Sequence, residues 1–314
     1  VTPRLLAIVG PTATGKTALG VALAQRFDGE VISCDSTAVY RGLDIGTDKP
    51  SAGERCGIPH HLIDVVSPAE TYSAARYAAD AAAAARDIVA RGKLPILVGG
   101  TGFYYRALVR GLFPGPAGEP TLRTRIDRVA ARRGVEYLHR WLSRVDPESA
   151  LRIQPRDQKR LQRALEVYLL TGKPLTAHFA ETRSPLEGWP VLTLGLRDPR
   201  PDLEGRVARR VDEQFRRGVV QEVEALIASG VPETAHAFSG LVYRQIMDMR
   251  RGLFNETDTR ALIVRENMRY ARRQVMWFRA EPGVHWREGI GTDADTVGWA
   301  AEQMGKWGSE GMRE

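Results

Sequence analysis

The eight residues Gly10 to Thr17, GPTATGKT, constrain this 314-residue chain more than any other stretch. They fit the pattern G-x-x-x-x-G-K-[ST] at every fixed position. They follow RLLAIV (4–9), an apolar run that reads as a buried strand stopped by Gly10-Pro11. Thr17 to Phe27 then reads as a helix with Leu19, Leu23 and Phe27 on one face. Strand, glycine-bearing loop and helix in that order make the pattern a phosphate-binding loop. Gly10, Pro11, Thr12, Ala13, Thr14, Gly15, Lys16 and Thr17 are therefore expected around a phosphate. Backbone N–H groups and the positive end of the helix would face it, and Lys16 would add a charge. The Thr17 hydroxyl is the expected ligand for Mg²⁺. Such a loop senses phosphates and does not disclose the molecule that carries them.

The strand–helix rhythm continues. EVIS (30–33) reads as a strand, Tyr72 to Arg91 as an alanine-rich helix ended by Gly92, KLPILVGG (93–100) as a strand and TGFYYRALVRGL (101–112) as a helix. This alternation predicts an α/β fold, a P-loop NTPase-like parallel sheet flanked by helices. FPGPAGEP (113–120) breaks the rhythm. Arginine-rich helical patterns follow at 121–133 and in DQKRLQRALEVYLLTGK (157–173). In the second, Leu161, Leu165, Tyr168 and Leu169 are expected to share a face, with Gly172 ending the helix. After SPLEGWP (184–190), VLTLGL reads again as a buried strand. The expected organisation is a core domain of 1–113 and 189–314, interrupted by an inserted all-helical domain at 114–188. Residues 200–280 read as mostly helical, ending in a long helix that carries six arginines over TRALIVRENMRYARRQVMWFR.

Charge locates a partner. Of 45 basic and 38 acidic residues, 14 and 8 lie between Gly118 and Ser184, so one segment holds nearly all of the net +7. That points to a polyanion as much as to a solvated helical surface. No apolar run approaches the roughly 20 residues that span a bilayer. The chain enters a strand almost at once, with no apolar signal core, so a cytoplasmic protein with no membrane partner is expected. Cys34 and Cys56 read as ordinary thiols. His60 and His61, neighbours without a third ligand nearby, read as loop or core histidines.

P-loop ATPases place an acid after an apolar strand to position metal and water. LPILVGGTG offers none, which weakens the plain ATPase reading. Its glycines would let a substrate approach the backbone, with the Thr101 hydroxyl beside it. Asp35, at the end of VISCD, is an acid placed where a short strand should end. From the residues alone it is either a base for a second reactant or an outer group around Mg²⁺.

GPTATGKT, ISCDSTAVYRGLDIGTDKP, PHHLID, LVGGTGFYYRAL, DPESALRIQPRDQKRLQRALEVYLLTGK, and VYRQ followed by ARRQVMWFR together resemble the tRNA dimethylallyltransferases, the tRNA A37 isopentenyltransferase family. The likeness runs in order from residue 5 to about 287, and DxxxxGxDIGTxKP and LVGGT are far more specific than the phosphate loop. It points to a bacterial member, since the Cys/His zinc-finger extension of some eukaryotic relatives is not seen. The resemblance implies transfer of a dimethylallyl group from dimethylallyl diphosphate to N6 of adenosine 37, with Mg²⁺ as cofactor, and a helical insertion gripping the tRNA anticodon stem-loop. It implies that Thr12 to Thr17 and Arg244 hold the diphosphate, and that Asp35 is the base with Thr101 beside the nucleotide. It implies tRNA contacts at Asp35, Ser36, Thr37 and Ala38, at Thr101 and Arg123, at Lys159, Arg160, Leu161, Gln162 and Arg163, and from Gly240 to Gln245. A monomer is the simplest expectation. Two departures stand out: Ala38 replaces a frequent glutamine, and Val242 replaces the usual glycine of GYR. The competing expectations are a P-loop kinase using ATP on a small molecule, with Asp35 as base, and a nucleotide-switched RNA-binding protein.

Overall fold

The computed structural model describes residues 3–198 and 202–310. The apolar runs become β1 (Leu5–Val9), β2 (Gly29–Cys34), β4 (Leu94–Gly99) and β5 (Val191–Arg197). The two-residue β3 (His60–His61) and β6 (Val284–Glu288) complete the set. The sheet order is β3-β2-β4-β1-β5-β6, and every pairing is parallel. The four central strands are almost wholly buried, which is why they read as continuous apolar runs.

Parallel neighbours need crossovers, and helices supply them. They are α1 (Lys16–Arg26), the one-turn α2 (Ala52–Arg55), α3 (Ala74–Ala90) and α4 (Gly102–Val109). Past the insertion come α10 (Leu203–Arg216), α11 (Val219–Ala228), α12 (Tyr243–Arg250), α13 (Glu256–Arg279) and α14 (Ala294–Glu310). One face of the sheet packs Leu6, Ile8, Leu194 and Leu196 against Leu19 and Leu23 of α1 and Ala300 and Met304 of α14. The strand register aligns the ends from which the site grows. Cys34 of β2 lies level with Gly99 of β4, and Gly99 level with Val9 of β1. The residues that leave these strand ends, Asp35, Gly100 and Gly10, therefore start side by side. The carboxyl ends of parallel strands are where open α/β sheets bind ligands.

The described residues form two compact units. One runs up to Val109 and resumes at Gly188; the other is Arg110–Glu187. The second contains α5 (Pro120–Arg133), α6 (Val135–Val145), α7 (Pro147–Arg152), α8 (Gln158–Thr171) and α9 (Leu175–Phe179). Its core is Ile126, Ala130, Leu138, Leu142, Leu161, Ala164 and Leu165. The α8 face expected from the sequence is only partly right. Leu161 and Leu165 are buried, but Leu169 is 42% exposed and Ala164 and Val167 take the inner positions. Asp157 caps α8 at its start, and Gly172, in the left-handed conformation, ends it. The ends of this unit run together: Gly111 has φ +83, and a Cβ there would overlap the Arg183 carbonyl.

The paired histidines form the sheet edge. His61 Nε2 lies 2.7 Å from Glu30 Oε2, and His60 Nδ1 lies 2.9 Å from the Ile58 carbonyl. Among the described residues no cluster of three or more His, Cys, Asp or Glu could hold a metal, and no helix is long and apolar enough to cross a membrane.

Candidate active site

Above the ends of β1, β4 and β2 lies a cleft of about 490 Å³. The phosphate loop forms one wall. Thr14 is fully buried and its hydroxyl donates to the Pro11 carbonyl at 2.8 Å, which fixes the turn. Lys16, the first residue of α1, folds back so that Nζ also donates to the Pro11 carbonyl. Burial is the main reason its proton affinity drops, to a pKa of about 8; Arg210 lowers it further, while Asp35 and Cys34 oppose the fall. The exposed Thr17 lies on the same wall.

Asp35 begins the opposite wall. Its Oδ1 accepts from Thr37 N at 2.8 Å, Thr37 Oγ1 at 2.7 Å and Ala38 N at 3.2 Å. These bonds turn the chain sharply out of β2 and hold the carboxylate still. Oδ2 has no hydrogen-bond partner among the described residues. Asp35 and Lys16 line one cleft without an ion pair between them among those residues. Two strand spacings separate the ends of β2 and β1, roughly 10 Å.

The turn after β4 ties the walls together. Thr101 N donates to the Cys34 carbonyl at 3.2 Å, and Thr101 Oγ1 accepts from Ser36 N at 3.2 Å. Thr101 is absent from the cleft lining, although Asp35, Ser36, Thr37 and Ala38 are in it. Its hydroxyl supports the Asp35 turn from behind and meets the hydroxyl of Tyr270. The glycines here serve the chain's own packing. A Cβ on Gly99 would overlap the Cys34 carbonyl, one on Gly100 the Gln274 amide, and one on Gly102 the Trp277 ring. Gly99 and Gly100 nevertheless line the cleft, so the backbone approach expected of them is open on that side.

Helix α13 contributes most of what the sequence reading missed. Gln274, 6% exposed, accepts from Thr12 N at 2.9 Å and donates to the Gly100 carbonyl at 3.0 Å. One amide thus sets the phosphate loop against the β4 turn, and the Thr12 N–H is spent on it. Tyr270 lines the cleft with its phenol pushed up to about 12, first by burial and then by the charge of Asp35. Arg273 lies beside it. ARRQ carried Arg273 and Gln274 in the sequence, with Tyr270 just before it, but helical position alone gives them no role.

Arg244 lines the cleft at the start of α12, exposed and without a carboxylate partner among the described residues. Before it, Val242 is buried with φ 75 and ψ −60. The chain keeps here a backbone that glycine adopts freely, with a β-branched residue in it. The segment 44–48 (DIGTD) is clamped by Glu222, which accepts from Asp44 N at 2.9 Å, Ile45 N at 2.7 Å and the Tyr243 hydroxyl at 2.8 Å.

Residues expected at the RNA from the second unit divide sharply. Leu161 is fully buried in its core and cannot touch a ligand. Arg123 and Arg163 both bind Glu166, whose side chain is fully buried, at 2.8 and 2.6 Å. Gln162 donates to Asp127 at 2.8 Å, and Arg160 is 3.4 Å from Asp157. Lys159 is exposed and unpaired among the described residues. On α5, Arg125, Arg128 and Arg132 are exposed, lack carboxylate partners among the described residues, and fall on one stripe by their i, i+3, i+7 spacing.

A phosphate loop, a carboxylate at the end of a strand two positions away and a cleft with basic side chains define a P-loop α/β protein built to hold a phosphorylated ligand beside a second reactant. A family model described as IPP transferase matches residues 38–281, and one described as isopentenyl transferase matches 3–67. The chain is 46% identical to the tRNA dimethylallyltransferase of Koribacter versatilis, over 96% of this chain and 97% of that one. The full-length tRNA isopentenylpyrophosphate transferase of Bacillus halodurans is 34% identical in its crystal structure, with TM-score 0.72, over 99% of this chain and all of that one. A eukaryotic dimethylallyltransferase acting on tRNA gives TM-score 0.77 at 28% identity, over 97% of this chain and 78% of that one. The chain belongs to the IPP transferase family, that of the tRNA dimethylallyltransferases.

Proposed function

We propose that this tRNA dimethylallyltransferase seats dimethylallyl diphosphate with its diphosphate on the phosphate loop and passes the prenyl group to N6 of adenosine 37. The observation that carries this reading is the separation of Asp35 from Lys16 within one cleft, unpaired, the one following β2 and the other closing the loop after β1, strands two positions apart in the sheet. A nucleophile served by one and a leaving group held by the other leave the reacting carbon between them.

The adenine N6 lone pair is delocalised, so N6 is a weak nucleophile. Asp35 Oδ2 accepts one N6 proton as the N–C bond forms, while Oδ1 stays fixed by its three donors. The bond between the allylic carbon and the bridging oxygen breaks, and diphosphate departs. Loop amides, Lys16 and Arg244 stabilise the charge that grows on it. Thr101 acts through Ser36 and Tyr270 as a positioning residue. Thr17 would supply a hydroxyl to hold Mg²⁺ beside the phosphate loop. When bound, Mg²⁺ would supply further charge to the diphosphate.

The adenine must leave its loop stack to reach Asp35. Ser36, Thr37, Ala38, Gly240, Leu241, Val242 and Arg244 flank it, while Tyr243 and Gln245 of the expected segment are buried away from the cleft; Ala38 offers no side-chain hydrogen bond. In the second unit, Lys159 and the stripe of Arg125, Arg128 and Arg132 meet RNA phosphates. A monomer is the simplest assembly for this reading, and a tRNA substrate supports a cytoplasmic location.

Incubation with radiolabelled dimethylallyl diphosphate and unmodified tRNA tests this, with ATP and Mg²⁺ alone as control. Label in tRNA is the expected result. ATP-dependent phosphorylation without label transfer would support the kinase instead.

A further inference from the structure

Gln274 of α13 bridges the two sides of the cleft with a single amide. Its Oε1 accepts from Thr12 N in the phosphate loop at 2.9 Å, and its Nε2 donates to the Gly100 carbonyl after β4 at 3.0 Å. These partners fix which way the amide points, since an N–H can meet only its oxygen and a carbonyl only its NH₂. The fit has no slack: Gln274 is buried, and a Cβ on Gly100 would overlap the amide. From Gly100 the chain passes to Thr101. The Thr101 N–H holds the Cys34 carbonyl and its hydroxyl accepts from Ser36 N, so it grips the chain on both sides of Asp35. One turn before Gln274, Tyr270 meets both the Thr101 hydroxyl and the Gln274 side chain.

We propose that Gln274 is a positioning residue that sets the gap between the phosphate loop and the Asp35 turn, and so the distance across which the prenyl group passes. This rests on the reading that diphosphate occupies the loop and adenine meets Asp35. Strand pairing aligns the two sides only as far as Val9, Gly99 and Cys34. Beyond that level the phosphate loop and Asp35 have both left the sheet, and the register no longer holds them. The path from Thr12 through Gln274, Gly100 and Thr101 to Ser36 carries the alignment further. The Thr12 N–H is given to this path and withheld from a phosphate. Transfer between two separately bound reactants depends steeply on such alignment, and a displacement of about 1 Å costs on the order of 10²-fold in rate. Gln274 acts through Thr12 and Gly100, so its removal should slow transfer without weakening either reactant's binding.

Single-turnover prenyl transfer at saturating dimethylallyl diphosphate and tRNA tests the proposal in wild type, Gln274→Met and Gln274→Glu. Thermal melts and calorimetric titrations with inorganic diphosphate and Mg²⁺, and with an anticodon stem-loop, accompany it. Gln274→Met keeps the side chain's length and loses both hydrogen bonds. Gln274→Glu keeps the acceptor for Thr12 N and loses the donor to Gly100. Gln274→Met should transfer about 10- to 100-fold more slowly while both affinities stay close to wild type. Gln274→Glu should fall between the two. A folded Gln274→Met that transfers at the wild-type rate would overturn the proposal. So would a loss of affinity for either ligand as large as the loss in rate, since Gln274 would then serve binding. Where Gln274→Met fails to fold, the rate and affinities of Gln274→Glu decide in the same way. No transfer by wild type would instead take down the reading of the cleft itself.

Discussion

Val242 offers a direct measurement of strain beside the cleft. Its φ of 75 and ψ of −60 belong to a turn conformation that is rare and strained for any residue with a Cβ. Such a conformation costs about 1–3 kcal/mol. Replacing Val242 by glycine removes the strain but also removes a buried side chain worth about 1.5–3 kcal/mol, so that single comparison has no clear sign. Two variants separate the effects. Val242→Ala and Val242→Gly both lose the γ-methyls and differ only in the Cβ. At an ordinary φ, alanine is favoured by about 0.5–1 kcal/mol through chain entropy. Here the backbone favours glycine by more than that. Val242→Gly should be the more stable of the pair by about 1 kcal/mol, or ~2–4 °C in Tm. Thermal melts followed by circular dichroism at one pH decide it. A Val242→Ala protein that melts with or above Val242→Gly would refute the claim that this position is strained.

Asp35→Asn should lower single-turnover prenyl transfer by roughly 10²- to 10⁴-fold with diphosphate affinity little changed; near wild-type rates would remove Asp35 as the base. Diphosphate affinity should hold steady below pH 8, where Lys16 is charged, and fall toward tenfold per pH unit above about 8 as it deprotonates. The groups facing Lys16 are Arg210, Asp35 and Cys34; a calorimetric titration flat to pH 10 would contradict this assignment. Arg125→Ala, Arg128→Ala and Arg132→Ala should each reduce the salt slope of tRNA binding by about 1 and leave Tm unchanged. Arg123→Ala should instead lower stability by about 1–3 kcal/mol, because it strips a partner from buried Glu166; the reverse pattern in melts and binding curves would exchange their roles.

Legibility in the sequence tracks how local each feature is. The phosphate loop was legible because strand, turn and helix are consecutive, and so were the central strands, since burial on both faces leaves unbroken apolar runs. Asp35 was visible as an acid but ambiguous, because its neighbourhood depends on β4 lying between β1 and β2. The glycines at 99 and 100 do line the cleft, as a substrate approach requires, but the Cys34 carbonyl, Gln274 and, at Gly102, Trp277 also fill their Cβ directions. Those partners are distant in sequence, and no local pattern names them. Leu161 erred in the other direction, since a motif marks it and only packing reveals that it serves a core; the pairing of motif-marked Arg123 with Glu166 was equally invisible locally.

The meeting of Gly111 with Arg183 has a topological consequence. Loop-closure entropy depends on how far apart a segment's ends are held, and it grows only slowly with the length between them. With its entry and exit side by side, Arg110–Glu187 presents itself to the connection between α4 and β5 much as a tight hairpin would. The β1–β5 register can then persist through changes of length or composition within this unit. Selection is free to reshape this unit while the sheet, the phosphate loop and Asp35 stay where they are.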